Sequence, residues 1–272
     1  MEPKDRLICA LDVPSLEEAK PLAETLVPYV GCSKVGLELA TAVGAPAAIS
    51  CVRDVGGTVF YDGKFMDIPN TVAGAARAVT TLGVRMFNVH CLGGPAMMRA
   101  ALVAATDVAE KKEGLTKSRP LILGVTILTS LDYDDLVKLG VMDRLNIDDP
   151  NERAGIQRDR LERLAVRHLA WLAQETGLDE VIASPQEIKA IREYCQPELL
   201  VVTPGVRPAW AAAGDQKRVM TPEEAIAAGA DYLVVGRPLT RPPREIGSVA
   251  DAAKRILDEI DRGLAKRERR TP

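Results

Sequence analysis

Two aspartates and one lysine lie within a stretch of six residues, directly behind a short apolar run. The chain there reads Tyr61-Asp62-Gly63-Lys64-Phe65-Met66-Asp67 and continues as Ile68-Pro69-Asn70-Thr71. If residues 59–64 form a β-strand, Asp62 and Lys64 point to the same face, because side chains alternate along a strand. Charges at the end of a buried strand cost free energy unless they are paired or used. A lysine held between carboxylates could oppose a developing negative charge and donate a proton; the alternative is an ion pair with a structural role only.

Side chains that could bind or react also lie in, or just after, most of the other apolar runs. They are Asp12, Lys34, His90, Thr126, Thr129, Arg207 and Arg237. If the runs are parallel strands of one barrel, their carboxyl ends meet at one face, where barrel enzymes carry their catalytic groups. A purely structural interpretation must explain why nearly every strand ends in a charged or hydroxyl-bearing residue. The pattern therefore favours an active site at that face.

Two turns that contain glycine follow the last two apolar runs. The first is Thr203-Pro204-Gly205-Val206-Arg207-Pro208 and the second is Val235-Gly236-Arg237-Pro238. Barrels often bind phosphate at this position, through glycine backbone N–H groups and a helix start. Arginine adds a planar fork that matches phosphate oxygens, and Gln216 adds a neutral donor that could fold over a bound dianion. The pair of turns predicts a phosphorylated substrate.

Histidine and cysteine are too sparse and too scattered to predict a metal site. The five cysteines contain no CxxC pair, and the two histidines are His90 and His168. We therefore expect no zinc site, and we expect reduced thiols rather than disulfides. His90 ends a predicted strand, and we interpret it as a hydrogen-bonded structural group rather than as a general base.

Composition excludes several classes of function. The chain has 272 residues, 47% of them hydrophobic, and a formal net charge of -3. It can bury a large core, and its charge gives no reason to expect nucleic acid or an anionic membrane surface as a partner. The amino terminus lacks the apolar core of a signal peptide, and no apolar run approaches the roughly 18 residues that span a bilayer. We expect a cytoplasmic protein.

Short apolar runs alternate with alanine-rich amphipathic segments along the chain. The predicted strands are residues 7–12, 33–37, 59–64, 85–90, 121–128, 180–183, 199–203 and 232–235. The predicted helices are residues 15–27, 45–54, 71–82, 95–109, 133–139, 185–194, 221–228 and 249–264. Eight strand–helix units of this length predict a closed (β/α)8 TIM barrel, with residues 1–272 as one domain. An open doubly wound sheet is the alternative, but no GxGxxG follows the first strand.

Two segments depart from this pattern. Residues 140–163 are crowded with charges of both signs and predict a charged insertion, either an extended connection or a small surface element. Residues 266–272 form a basic tail that we expect to be frayed and solvated.

Taken together, the motifs resemble the orotidine 5'-phosphate decarboxylase family over about residues 7–260. The matching residues are Ala10-Leu11-Asp12, Lys34-Val35-Gly36, Asp62-x-Lys64-x-x-Asp67-Ile68-Pro69-Asn70-Thr71, Val125-Thr126-x-Leu128-Thr129-Ser130, Thr203-Pro204-Gly205-x-Arg207, Gln216 and Gly236-Arg237. Related metal-dependent sugar-phosphate decarboxylases and aldolases share DxKxxD, but they typically carry an acidic residue in place of Lys34 and bind magnesium. They remain the first alternative, and a catalytically idle phosphate-binding protein is the second. Gly63 departs from the family, which commonly has an apolar residue there.

The resemblance implies decarboxylation of orotidine 5'-phosphate to uridine 5'-phosphate in pyrimidine synthesis, with no cofactor and no metal. It implies that Lys64 protonates a carbanion at C6 of the pyrimidine, within a charge network completed by Asp62, Asp67 and Lys34. The implied binding residues are Asp12 and Lys34 for the ribose, Thr129 for the pyrimidine, and Arg207, Gln216, Gly236 and Arg237 for the phosphate. It also implies a homodimer with shared active sites, in which Asp67 and Thr71 enter the site of the partner.

Overall fold

Eight parallel strands close into a barrel in the computed structural model, which describes residues 1–111, 119–211 and 220–269. The strands are β1 Leu7–Ala10, β2 Cys32–Val35, β3 Val59–Phe65, β4 Met86–His90, β5 Leu121–Val125, β6 Glu180–Ile182, β7 Leu200–Pro204 and β8 Tyr232–Val235. Each strand pairs with the next in chain order, and β8 pairs back with β1. The predicted (β/α)8 barrel is confirmed.

Helices separate the strands and cover the outside of the barrel. They are α1 Leu16–Leu26, α2 Leu37–Val43, α3 Ala45–Asp54, α4 Pro69–Thr81, α5 Gly94–Lys111, α6 Tyr133–Lys138, α7 Pro150–Glu162, α8 Trp171–Thr176, α9 Ile188–Tyr194, α10 Pro222–Ala228, α11 Arg237–Thr240 and α12 Val249–Glu268. A π-helical segment, Arg163–Ala170, joins α7 to α8 without a break. In the described part of the chain, no helix has both the length and the apolarity needed to cross a membrane.

Four predicted strands, the first, second, fifth and sixth, are too long at their carboxyl ends, and the second and fifth show why. The second predicted strand runs to residue 37, but the helix α2 already begins at Leu37, with Gly36 as its N-cap. The fifth runs to residue 128, but β5 ends at Val125. In both places the apolar run continues past the last strand residue, into α2 after the second strand and into the loop at the mouth of the barrel after the fifth, so hydrophobicity alone misplaces the boundary.

The charged segment 140–163 is partly helical, so of the two expected forms its second half is a small surface element and not an extended connection. The helix α7 begins after Asp149, whose side chain caps it by accepting from the backbone N–H groups of Asn151 and Glu152. Leu161 is the one buried residue of α7, so the helix lies on the surface and shows little apolar periodicity. It continues through the π-helical segment into α8, the helix that precedes β6.

The tail is also more ordered than expected at its start. Helix α12 continues to Glu268, so the prediction of a frayed segment is wrong for residues 266–268. Lys266 Nζ lies 2.6 Å from a carboxylate oxygen of Glu223, and an Arg267 guanidinium nitrogen donates to the carbonyl of Ala230 at 3.3 Å. Residues 270–272 lie outside the described part.

The core has two layers. Side chains that point into the barrel form the inner layer: Ile8, Ala10, Cys32, Phe60, Met86, Leu123, Val202, Tyr232 and Val234. The outer layer fills the space between strands and helices and is dominated by aliphatic residues and alanine. All five cysteines are buried and free.

Glu180, the first residue of β6, is fully buried, and neither of its carboxylate oxygens has a hydrogen-bond partner among the described residues. Burial, reinforced by the nearby charges of Asp179 and Asp231, raises the pKa of Glu180 to about 8. The folded protein therefore holds this carboxyl in its neutral form at neutral pH. The unfolded chain ionises it from about pH 4.5, so stability is lost as the pH rises from there towards 8.

We expect Glu180→Gln to be more stable than the wild type by about 4 kcal/mol at about pH 7.5, and the gap to shrink to about 1 kcal/mol at about pH 5. Urea unfolding at the two pH values measures it. The matched control is Glu198→Gln at an exposed position, which should show no such change. A gap of the same size at both pH values would mean that Glu180 is ionised in the folded protein.

Candidate active site

Four charged side chains form a continuous chain of ion pairs at the carboxyl ends of β1, β2 and β3. Lys34 Nζ lies 2.9 Å from Asp12 Oδ1 and 3.2 Å from Asp62 Oδ2. Asp62 Oδ1 in turn lies 2.7 Å from Lys64 Nζ. Charges therefore alternate in sign from Asp12 to Lys64, so each lysine is held by at least one carboxylate.

The strand pairing explains why these groups meet. Lys34 is the partner of Ala10 in the β1–β2 register and of Phe60 in the β2–β3 register. The next inward positions along the neighbouring chains are Asp12 and Asp62, so all three side chains converge on the same face. The prediction that Asp62 and Lys64 lie on one side of β3 is confirmed by their ion pair.

Lys64 has an unusual backbone conformation. Its φ angle of +47° makes it the one non-glycine residue with positive φ in the described part of the chain. The β3–β4 register shifts between Tyr61 and Phe65, so the strand is irregular at this lysine. A non-glycine residue in the left-handed region costs of order 1 kcal/mol and persists only where its surroundings hold it.

Two glycines leave room for this arrangement. A Cβ at Gly36 would lie 2.8 Å from Lys34 Nζ and 3.2 Å from Asp12 Oδ1, so a side chain there would disturb that ion pair. A Cβ at Gly63 would lie 2.5 Å from a ring carbon of Tyr61 and 3.0 Å from one of Phe65. Gly63 therefore faces the two aromatic rings and not the ion pairs.

Burial and charge together decide how Asp62 and Lys34 ionise. Burial opposes the charge of Asp62, but Lys34 and Lys64, with hydrogen bonds from Lys64 and Asn88, outweigh it and hold the pKa of Asp62 below its usual value. Burial likewise opposes the charge of Lys34, yet Asp62 and Asp12 raise the pKa of Lys34 above its usual value. Both groups are therefore charged at neutral pH.

Asn88 on β4 is a site residue that the sequence analysis missed. Its side-chain amide donates to Asp62 Oδ1 at 2.6 Å and accepts from the backbone N–H of Lys64 at 2.7 Å. The available signal was a polar residue at an inward position of β4, two residues before His90. Such a position requires a partner when it is buried.

From the sequence, we interpret His90 as a hydrogen-bonded structural group, and the structure agrees with this only in part. Burial, with a further contribution from Lys64, lowers the pKa of His90, so its imidazole is neutral near pH 7. Its Nδ1 is buried without a hydrogen-bond partner among the described residues, so the expected hydrogen bond is absent at that atom.

The ion pairs form one wall of a cavity of about 550 Å³ at the mouth of the barrel, a volume typical of small-ligand sites. The opposite wall is apolar and is lined by Val125, Ile127, Leu128, Ile182, Ala183 and Val206. Glycine and arginine side by side form the end near β7 and β8: Gly205, Arg207, Gly236 and Arg237. The cavity can thus hold a ligand with a polar part, a flat apolar part and an anionic end.

Eight of the predicted site residues line this cavity: Asp12, Lys34, Asp62, Lys64, Thr129, Arg207, Gly236 and Arg237. Asp67 and Thr71 do not line it and are exposed on the adjacent surface. Asp67 Oδ1 accepts from the backbone N–H of Ile68 at 2.6 Å. Gln216 lies outside the described residues. Thr126 is buried, and its hydroxyl donates to the carbonyl of Ile182 at 3.0 Å.

Comparison with known proteins gives consistent matches along almost the whole chain. The family model described as "Orotidine 5'-phosphate decarboxylase / HUMPS family" matches residues 5–252. The chain is 51% identical to orotidine 5'-phosphate decarboxylase from Moorella thermoacetica, over 96% of this chain and 94% of the relative. It is 48% identical to orotidine 5'-phosphate decarboxylase from Trichlorobacter lovleyi, over 97% of this chain and 98% of the relative.

Solved structures of proteins with the same name also align with this chain over almost its whole length. The crystal structure of orotidine 5'-phosphate decarboxylase from Lactobacillus acidophilus aligns with a TM-score of 0.71 and 32% identity, over 94% of this chain and 98% of that one. The corresponding structure from Pyrococcus horikoshii OT3 aligns with a TM-score of 0.63 and 25% identity, over 94% and 99% of the two chains.

Proposed function

The chain belongs to the orotidine 5'-phosphate decarboxylase / HUMPS family, and we infer from this membership that it is a carboxy-lyase that converts orotidine 5'-phosphate to uridine 5'-phosphate. This reaction belongs to pyrimidine synthesis. The observation that carries the inference is the alternating chain of charges from Asp12 to Lys64 beside a cavity with an arginine-lined end.

Loss of carbon dioxide from C6 leaves a carbanion in the plane of the pyrimidine ring, where the π-system of the ring cannot delocalise it. The protein must therefore stabilise the charge electrostatically and then protonate the carbon. Lys64 is the group suited to both tasks, because its ammonium lines the cavity and Asp62 holds it at 2.7 Å. A preformed positive charge costs no reorganisation when the carbanion develops.

Asp62 has two roles in this scheme. It keeps Lys64 oriented, and its ionised carboxylate lines the cavity beside that lysine, so it would crowd the carboxylate of a substrate whose C6 faces Lys64. Repulsion between the two carboxylates would be relieved as carbon dioxide leaves. The depressed pKa of Asp62 supports the role, since a neutral carboxyl could neither repel the substrate nor hold the lysine.

The remaining cavity residues bind the three parts of the nucleotide. Asp12 and Lys34, which line the cavity, would hydrogen-bond the ribose hydroxyls, and Thr129 would contact the pyrimidine beside the apolar wall. Gly236 and the two arginines, Arg207 and Arg237, bind the phosphate, with Gln216 completing the set. Phosphate binding far from C6 can supply energy that organises the site.

Arg237→Ala should lower kcat/KM for orotidine 5'-phosphate by roughly 30- to 1,000-fold, about the loss expected for a charge-assisted contact. Initial rates at low substrate concentration measure it. The nucleoside orotidine, which lacks the phosphate, serves as the control and should react at nearly the same rate with both proteins. Equal losses for the two substrates would assign Arg237 a structural role.

The exposed surface around Asp67 and Thr71 supports a homodimer with shared sites. Met66 and Ile68, on either side of Asp67, are 55% and 67% exposed. They adjoin a groove between α4 and α5 lined by Pro69, Asn70, Ala73, Arg77, Ala96, Arg99, Ala100, Val103, Ala104 and Asp107. Large apolar side chains next to a functional aspartate are suited to contact with a second copy, which would receive Asp67 and Thr71 in its cavity.

One assay tests the function against the metal-dependent alternative. Purified protein in excess chelator should decarboxylate orotidine 5'-phosphate, followed as loss of ultraviolet absorbance. Magnesium-dependent turnover of a sugar phosphate, with none of orotidine 5'-phosphate, would favour the sugar-phosphate type of enzyme. Binding of uridine 5'-phosphate without any turnover would favour an idle binding protein.

The five free cysteines support our further proposal of a cytoplasmic location.

A further inference from the structure

Asn88 lies in hydrogen-bonding contact with both Asp62 and Lys64, the two groups assigned to the reacting carbon. It is fully buried on β4, and β4 pairs with the irregular part of β3. Its two amide atoms contact two different parts of the neighbouring strand: the carboxylate of Asp62 and the backbone of Lys64. No other described side chain bonds to both residues of this pair.

The orientation of the Asn88 amide is determined by its partners. The backbone N–H of Lys64 can only donate, so the amide oxygen must face it. The carboxylate of Asp62 is ionised and can only accept, so the amide nitrogen must face it. The reversed orientation would lose both hydrogen bonds, because it would set donor against donor at Lys64 and acceptor against acceptor at Asp62.

The hydrogen bond between Asn88 and Lys64 stabilises the unusual backbone conformation of Lys64. The φ angle of +47° is unfavourable for a residue with a side chain, and the neighbouring ladder is interrupted at this point. The amide oxygen of Asn88 therefore replaces the ladder acceptor that a regular strand would offer to the Lys64 N–H. Without it, Lys64 would lose a partner in the conformation that sends its ammonium into the cavity.

The hydrogen bond between Asn88 and Asp62 helps to fix the orientation of the Asp62 carboxylate. Oδ1 receives both the Asn88 amide at 2.6 Å and the Lys64 ammonium at 2.7 Å, while Oδ2 faces Lys34 at 3.2 Å. Asn88 is the one neutral donor of the three, and it approaches from β4, across from Lys34. The carboxylate is thus held from both sides and cannot rotate.

We propose that Asn88 is a positioning residue for the decarboxylation. Its two hydrogen bonds fix the Lys64 backbone and the Asp62 carboxylate relative to each other. The proposal rests on the proposed function and names a residue that acts through the two groups placed at the reacting carbon. Misplacement of a reacting group by about 1 Å can cost about 100-fold in rate. The contacts of Asn88 involve no residue at the arginine-lined end of the cavity, so binding of the nucleotide should be largely independent of it.

Asn88→Ala tests the proposal through the split between kcat and KM. We expect kcat to fall by about 10- to 100-fold, while KM and the Kd for uridine 5'-phosphate stay within about threefold of the wild type. The matched control is Ser33→Ala, which removes another buried polar group from a barrel strand, on the opposite face from Lys34. It should leave both parameters unchanged.

Asn88→Asp provides a second test that keeps the size of the side chain. An ionised aspartate would repel Asp62, whereas a protonated one can still donate to it and accept from Lys64. Two carboxylates in contact raise the pKa of one of them, so the ratio of variant to wild-type kcat should increase as the pH falls. The ionisable groups that face the position are Asp62 and Lys64 from β3, Lys34 from β2, Asp12 after β1 and His90 on β4. They face the position in both proteins, so a pH dependence of the ratio reports the new carboxyl and its coupling to them.

Every outcome decides between the interpretations. If the wild-type protein does not decarboxylate orotidine 5'-phosphate, the proposed function itself is wrong, and the positioning role of Asn88 is wrong with it. Active wild type with an unchanged kcat in Asn88→Ala would refute the positioning role. A parallel loss of kcat, uridine 5'-phosphate affinity and melting temperature, or a ratio for Asn88→Asp that is flat with pH, would mean that Asn88 only stabilises the barrel.

Discussion

Lys64→Ala should abolish decarboxylation, with a loss in kcat of at least about 10⁴-fold, while the barrel stays folded. The change removes both the cation that faces the carbanion and the proton that ends the reaction. It also leaves Asp62 ionised beside Lys34, which still lies 3.2 Å away, so no unpaired buried charge is created. Loss of ultraviolet absorbance on conversion of orotidine 5'-phosphate measures the rate.

Binding distinguishes a catalytic loss from a structural one. Uridine 5'-phosphate should still bind to Lys64→Ala, because the arginine-lined end of the cavity is untouched. Lys64→Arg is the matched variant: it keeps a positive charge but holds its proton too tightly to deliver it, and we expect it to be inactive as well. If Lys64→Ala turned over within tenfold of the wild type, Lys64 would have neither of its assigned roles.

Most of the barrel and its charged site could be predicted from the sequence, for a physical reason. Parallel strands bring their carboxyl ends to one face, so Asp12, Lys34 and Asp62 could be placed together from their positions at the ends of apolar runs alone. The strands are buried on both sides, so their apolar runs are easily recognised. Their last residues are less certain, because the apolar wall of the cavity continues into the loops at Ile127 and Leu128.

Three features could not be predicted, two of them because they depend on contacts between distant parts of the chain and the third because its sequence lacks a pattern. The positive φ angle of Lys64 accompanies a hydrogen bond from its backbone N–H to Asn88 on the next strand. The need for glycine at position 36 follows from the place of Lys34 Nζ, which its ion pairs determine. The surface helix α7 buries little more than Leu161, so its sequence carries almost no apolar periodicity.

Asp67→Ala should be inactive by itself, yet it should regain activity when it is mixed with Lys64→Ala and the subunits exchange. Asp67 is exposed outside the cavity of its own chain, as expected if it acts in the site of a partner. In a mixed dimer, one site would then carry both defects and the other neither. Random exchange makes half of the dimers mixed, with one of two sites intact, so about a quarter of wild-type activity should return.

The matched control is a mixture of Lys64→Ala with Asp62→Ala. Lys64 and Asp62 form an ion pair within one chain, so every site of such a mixed dimer carries one defect, and no activity should return. Subunit exchange is verified in both mixtures with differently tagged chains. If the first mixture exchanges subunits and remains inactive, Asp67 serves the site of its own chain, and the exposed aspartate must move to reach it.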